Sequence, residues 1–337
     1  MPNTSLIFYY FCIMNLKVSV ISKSEELPAM TCRNFFHSTE FFHIIAATTG
    51  HTPLMAVACD EEGRVAAHLL AIVRRRGSLM PPYLFTQGRI YGVGEYEEDV
   101  DPETTFPLLL DAITRRFRRK LCLYAEFSNL PNKMFGYRYF RQLGYFPVSW
   151  QEVHNSLHSM EPRERLSEHR QQLIDRLRKA GIVTREINND EELQAVYDLF
   201  HRANRFTPRN FIPPMKFFRG CHVSEHVKIY ATFSDEHIIG ACASVSTEGN
   251  AWLWYVAAER MNRHSKRPAL MTIWHAIEQA HAEGLRHFYF MDAGLPFRKS
   301  KYREFILGFG GKPVAKYRWF RFSFSWLNKL LAWLYRE

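Results

Sequence analysis

"GLPFRKSKYREFILGFGGKPV", residues 294–314, echoes "NLPNKMFGYRYFRQLGYFPV", residues 129–148. Pro131 stands six positions before Tyr137, and Pro296 six before Tyr302. Leu130, Pro131, Tyr137, Arg138 and Phe140 match Leu295, Pro296, Tyr302, Arg303 and Phe305 at one offset of 165 residues. A lone match of this length is noise, so what precedes each copy decides whether the chain is duplicated.

In the first half, Ser38 caps a predicted helix over "TEFFHIIAATT" that Gly50 ends. "LMAVA" and "VAAHLLAIV" then flank the turn residues Asp60 to Arg64 as a hairpin. Phe106, Leu109, Leu110, Ile113 and Phe117 recur at helical spacing, and "LCLYAEF" reads as a buried strand leading into the echoed segment. The second half opens with a helix carrying Leu193, Val196, Leu199 and Phe200 on one face, then a hairpin of "KIYATF" and "IIGACASVS". Strand "AWLWYVA", a helix with Leu270, Ile273, Trp274 and Ile277 on one face, and strand "HFYFM" lead into the second copy of the echo.

The same order twice predicts a mixed α/β (α+β) chain of two tandem domains, each a mixed sheet flanked by helices. Expected boundaries are 14–155 for the first domain, 156–180 for a connecting basic helix, 181–321 for the second domain and 322–337 for a C-terminal amphipathic helix. Met14 is the expected natural start, with the first thirteen residues a loose tail or the product of an upstream start codon.

The chain has 337 residues, 47% hydrophobic and 23% charged, a globular composition long enough for two cores. Its 44 Lys and Arg against 34 Asp and Glu give a net charge of +10, which favours anionic partners: phosphates, nucleic acid or an acidic membrane face. Six scattered cysteines without a CxxC pair read as reduced core residues of a cytoplasmic protein. "CHVSEH" places Cys221, His222 and His226 close in sequence, but without a fourth ligand nearby, so no metal is expected.

Three stretches carry a family resemblance: "FFHSTEFFHIIAATTGHTPLMAVA", "RQQLIDRLRKAGIVTRE", and "FYFMDAG" followed by "YREFILGFGGKPV". In order, from about Asn34 onward, they resemble the FemAB-like, BioF2-like tandem GNAT acyltransferases, relatives of the Fem peptidoglycan aminoacyltransferases. The resemblance implies transfer of an acyl or aminoacyl group onto an amine of a phosphate-bearing acceptor, such as a lipid-linked peptidoglycan precursor. Acyl-CoA or aminoacyl-tRNA is then the donor substrate, with no tightly bound cofactor. Such chemistry needs a neutral amine, donors aimed at the developing oxyanion and, for a diphosphate, arginine forks.

Asp292, directly after strand "HFYFM", stands where ligands gather in open α/β sheets; its plain reading is a turn aspartate bonding local backbone. Beside it, Arg298, Lys299, Lys301 and Arg303 form a cationic stretch next to Gly308, Gly310 and Gly311, suited to gripping phosphate. Asp292, Tyr302 and Lys301 are the catalytic candidates. Arg298, Lys299, Arg303, Gly310, Arg205 and Arg209 are the substrate-binding candidates, the last two from "RANRFTPRNFIPP", whose plain reading is a proline-pinned loop. Many members of the family carry a basic residue after the phenylalanine of this segment; here it is Ile306, so Lys301 or Arg303 substitutes for it, or the protein has a different donor or no activity. "QGRIYGVG", with Gly88, Gly92 and Gly94, precedes an acidic run and reads as a loop instead of a pyrophosphate cradle.

The tail "FSFSWLNKLLAWLYRE" forms a broad apolar face that either docks on the protein or lies in a membrane interface, placing the protein at the inner membrane face. A second class of function fits the same charge: a catalytically silent basic module that holds tRNA, a nucleotide or a membrane surface.

Overall fold

The computed structural model describes residues 16–77, 83–204, 211–259 and 267–335. Its first half runs β1 (Lys17–Ile21), α1 (Thr39–Ala47), β2 (His51–Cys59), β3 (Val65–Gly77), β4 (Leu84–Tyr91), β5 (Glu95–Tyr96), α2 (Pro102–Arg119), β6 (Cys122–Ser128), α3 (Tyr137–Gln142) and β7 (Phe146–Ser156). A 3-10 turn (Pro162–Arg165) and α4 (Glu168–Lys179) lead to the second half. There the order returns as β8 (Ile182–Glu186), α5 (Asp190–Asn204), α6 (Met215–Val223), β9 (Val227–Ser234), β10 (His237–Thr247), β11 (Asn250–Ala258), α7 (Pro268–Ala282), β12 (His287–Gly294), α8 (Lys301–Leu307) and β13 (Lys312–Phe322). Helix α9 (Ser325–Leu334) follows. Strands β1 and β8 begin 165 residues apart, as do β6 and β12, so the offset of the echo is the offset of the fold.

Local chemistry sets the ends of these elements. Ser38 Oγ accepts the Phe41 N–H at 3.0 Å to open α1, and Asp101 accepts two N–H groups to open α2, with Pro102 in its first turn. Asn129 (φ 62°) just after β6 and Gly294 (φ 86°) at the end of β12 hold the same place in the two copies. Both take the left-handed conformation that asparagine and glycine tolerate best, which swings the chain into each Leu-Pro segment.

The halves do not form two sheets. They make one, in the order β1-β2-β3-β4-β6-β13-β7-β12-β11-β10-β9-β8, with β5 beside β3. Each half has one parallel pair, β4–β6 or β11–β12, joined across a helix. The last strands are exchanged: β13 lies between β6 and β7, while β7 lies between β13 and β12. The antiparallel β7–β13 pair, from His154↔Lys312 to Phe146↔Phe320, fuses the two units by pairing strand edges that each unit alone leaves open.

Side chains alternate between two faces along every strand. On one face α2 and α3 cover the first half through Leu54, Leu69, Ile113 and Phe140, and α4, α7 and α8 cover the second through Ile174, Trp274, Phe288 and Ile306. On the other face α1, α5 and α6 share one core, in which Phe41 and Phe42 meet Phe217, Val196 and Trp254 from the opposite half. The tandem units thus share interior as well as sheet.

One expectation changes here. Gly88 lies inside β4, not in a loop; a side chain there would strike the Phe117 ring of α2, so the glycine permits helix and sheet to approach. Residues 215–223 form α6, whose Cys221 is buried in the shared core while His226 lies 3.9 Å from Glu40, so "CHVSEH" does not converge on one point. The five described cysteines are free thiols.

Candidate functional site

Strands β11 and β12 pair only over Asn250–Leu253 and His287–Phe290. Beyond that, β12 bulges at residues 291–293 against β7, and β11 runs on to Ala258 unpaired with it. Trp254 and Tyr255 therefore part from Met291–Ala293, leaving an opening between parallel strands. In the first half the matching strands stay paired from Thr86↔Cys122 to Tyr91↔Ser128, their last residues. The opening belongs to the second copy.

Beside it, on the face of the shared core, the central strands turn polar. Strand registers place Arg74, Gln87 and Tyr124 in one row and Arg89, Glu126 and Phe320 in the next. Arg89 and Arg318 both pair with Glu126, the second at 3.4 Å, and Gln87 Nε2 donates to it at 3.1 Å. Arg74 donates to Gln87 at 2.9 Å. Arg318 also donates to the Met291 carbonyl at 2.8 Å, which ties the floor to the bulge, and lies 4.0 Å over the Trp150 ring.

Arg89, Glu126 and Arg318 are 8%, 8% and 7% exposed. Burial opposes charge on Arg89 and on Glu126, yet their mutual attraction outweighs it, so the guanidinium is held above and the carboxyl below its ordinary range. Tyr91, whose hydroxyl lies 3.5 Å from Trp254 Nε1, is likewise held below its usual range: burial would raise it, but Arg89 and Arg74 prevail. Arg74 is lowered by burial, with Arg89 and Arg76 adding repulsion. One buried carboxylate thus faces several guanidiniums, and Arg89 Nε, Arg318 Nε, Trp150 Nε1 and Trp252 Nε1 have no hydrogen-bond partner among the described residues. Unspent buried donors with excess positive charge suit an anionic ligand.

The predicted residues fare unequally. Asp292 occupies the bulge with its side chain 61% exposed, 3.8 Å from Arg318. Tyr302 is 37% exposed as a residue, while burial of its hydroxyl, with the Asp292 carboxylate adding to it, pushes the hydroxyl well above the ordinary range. Arg298, Lys299 and Lys301 are exposed. Arg303 is spent on backbone, donating to the carbonyls of Leu295 (2.8 Å), Arg298 (2.7 Å) and Ala293 (3.4 Å), so it clamps the loop after β12. Arg205 and Arg209 lie outside the described residues.

The glycines of "GFGG" are packing residues. A Cβ on Gly308 would strike the Arg170 guanidinium, on Gly310 the Cβ and then the carbonyl of Arg165, and on Gly311 the Asn155 amide. Gly310 also sits at φ 84°. Gly310→Ala is expected to cost about 2–4 kcal/mol from left-handed strain plus overlap, read as a lower urea midpoint at unchanged slope. A midpoint equal to the parent's would show that the turn is loose.

Ile306 is fully buried in the core under α7 and α8, which is why a basic residue is absent there. A cation beside that place is Arg170 of α4, against Phe305 and Phe309. It donates to the Phe305 carbonyl at 2.8 Å, stacks 4.9 Å over Phe309, and shares like-charge repulsion with Arg267 at the start of α7. Sequence reading also missed Glu152 and His154, hydrogen-bonded at 2.9 Å on the floor side of β7, although the alternation in "WQEVH" was a visible signal.

Cys32, His68 and Glu95 bring possible metal ligands within 4.8 Å of one another. Both Glu95 oxygens already accept backbone N–H groups, from Arg33 at 2.7 Å and Asn34 at 3.0 Å. Burial lowers the His68 pKa, but Cys32 and Glu95 outweigh it and push it up to about 9. The trio reads as a charged pair fastening the turn before α1. An open cleft of about 740 Å³ lies between α5 and the β9–β10 turn, beside Asp198, Arg202, Asp235 and Glu259.

Residues 165–299 match the family model of the acetyltransferase (GNAT) domain. Among solved structures the chain is similar to FemX, with TM-score 0.61 and 10% identity over 89% of this chain and 94% of that one. It is similar to a tandem GNAT protein from the clavulanic acid biosynthesis pathway (TM-score 0.55, 12% identity, 91% and 98% covered). L-PGS from Bacillus licheniformis gives TM-score 0.55 and 13% identity over 89% and 92%. No curated protein matches the sequence. At these identities the likeness establishes the fold.

Proposed function

With a tandem GNAT fold, the fold of N-acyltransferases, as its premise, we propose that the chain transfers an acyl or aminoacyl group onto an amine of a phosphate-bearing acceptor. The observation that carries this reading is the junction of an opening and a cationic floor: β11 and β12 part at the bulge that Arg318 holds. The donor, acyl-CoA or aminoacyl-tRNA, enters the opening of the second copy. The acceptor's phosphate lies on the floor, where Arg89 and Arg318 offer unpartnered N–H groups.

Asp292 at the bulge takes the proton of the amine as its nitrogen bonds the acyl carbon, and the Tyr302 hydroxyl, kept protonated by its surroundings, donates a hydrogen bond to the developing oxyanion. As the carbonyl re-forms, the bond to the CoA sulfur or the tRNA ribose oxygen breaks and that atom leaves with the proton. Arg303 positions the loop that carries Arg298 and Lys299 at the rim, with Lys301 on the adjoining helix. The FemX and L-PGS likenesses support the aminoacyl branch, and a peptidoglycan precursor is the acceptor that the sequence resemblance implies.

The test is transfer of label from acetyl-CoA and from charged tRNA to amines, with and without a UDP-linked muropeptide. One donor is expected to label the phosphate-bearing acceptor well above a simple amine. Salt-sensitive tRNA binding without transfer from either donor would instead make the chain a silent basic binding module.

A further inference from the structure

Helix α9 sits on the molecule with its apolar side outward. Asn328 fastens it, accepting the Phe322 N–H at 2.8 Å and donating to the Gly144 carbonyl at 2.9 Å, so Leu327 and Leu331 lie half-buried beneath. Trp326, Leu330, Trp333 and Leu334, at spacings of four, three and one, fall on the opposite side and are 67%, 50%, 66% and 62% exposed. A surface helix ordinarily shows water its polar face.

The surroundings extend this surface. Ser323 hydrogen-bonds back to residues 122 and 123, which sets the start of α9 beside Leu121, 83% exposed in the left-handed conformation. Thr86, paired with Cys122, brings exposed Leu84 to the same end of the sheet. There α2 ends in Arg118, Arg119 and Lys120, all exposed and with no carboxylate in ion-pair distance among the described residues; Lys329 is exposed on α9 itself. Protruding tryptophan and leucine ringed by uncompensated cations match a bilayer interface with anionic headgroups.

We propose that this end of the molecule seats on an anionic lipid surface, with α9 lying in the plane of the interface. At ten residues α9 is too short to span, and no helix among the described residues is long and apolar enough to cross a membrane. The inference stands apart from the acyltransferase reading, because these residues lie outside the floor and the β11–β12 opening.

Sedimentation with phosphatidylcholine vesicles, with and without phosphatidylglycerol, tests it. The expected result is binding to the phosphatidylglycerol vesicles, weakened by salt, with tryptophan emission shifting to the blue. The double variant Trp326→Ser, Trp333→Ser should partition at least about tenfold less while melting at the parent's temperature, since neither side chain is buried. Absence of binding at low salt, or equal binding by the double variant, overturns the proposal. A dimer that the double variant dissolves, with no vesicle binding, overturns it in favour of a second copy of this chain.

Discussion

Glu126→Gln is expected to destabilise the chain by about 3–5 kcal/mol, because it leaves buried Arg89 and Arg318 without their shared counter-charge. Glutamine keeps the shape and the hydrogen-bonding oxygen, so the loss isolates the charge. Combining Glu126→Leu with Arg89→Leu and Arg318→Met should recover most of it, since an apolar replacement of a buried ionic cluster is close to neutral. The measurement is the urea midpoint with its slope. A single variant within about 1 kcal/mol of the parent would mean that water screens the floor.

The same residue sets an acid limit. Its carboxyl is held below the ordinary value of 4.5 in the folded chain, because Arg89 and Arg318 outweigh the effect of burial. The unfolded chain therefore takes up the proton first, and stability present above that value is lost as pH falls through the folded one. The parent should lose stability in this window, and Glu126→Gln should lose less.

Asp292→Asn is expected to lower kcat by at least about 100-fold, with melting unchanged. The side chain is 61% exposed and contacts Arg318 at 3.8 Å, so the fold scarcely depends on it. Asparagine keeps size and polarity and removes the proton acceptor. A variant that keeps the parent's rate with the labelled donor would remove Asp292 from the reaction while leaving the fold and floor as described.

Charge density in the sequence points to 298–303, and the structure divides that cluster. The cluster is visible because its charges are adjacent, yet three of them are exposed and Arg303 is spent on carbonyls. The arginines that build the floor are spread over three strands distant in sequence, in "RRRG", "QGRIY" and "YRWFRF", where alternation makes each look like an outward polar residue on a half-buried strand. "GFGG" suggested a cradle for phosphate, but its glycines make room for Arg165, Arg170 and Asn155, neighbours more than 130 residues away in sequence.

The sequence by itself determined the doubled order of elements, because caps, turns and apolar periodicity act over a few residues and the offset of 165 repeats them. Tertiary structure alone decided that β7 and β13 trade places, that the second copy opens while the first stays zipped, and that Arg89, Glu126 and Arg318 meet. The reason is that local pattern specifies what a strand is, whereas its neighbour, register and buried face are set by the free energy of pairing distant edges, which no short window of sequence contains.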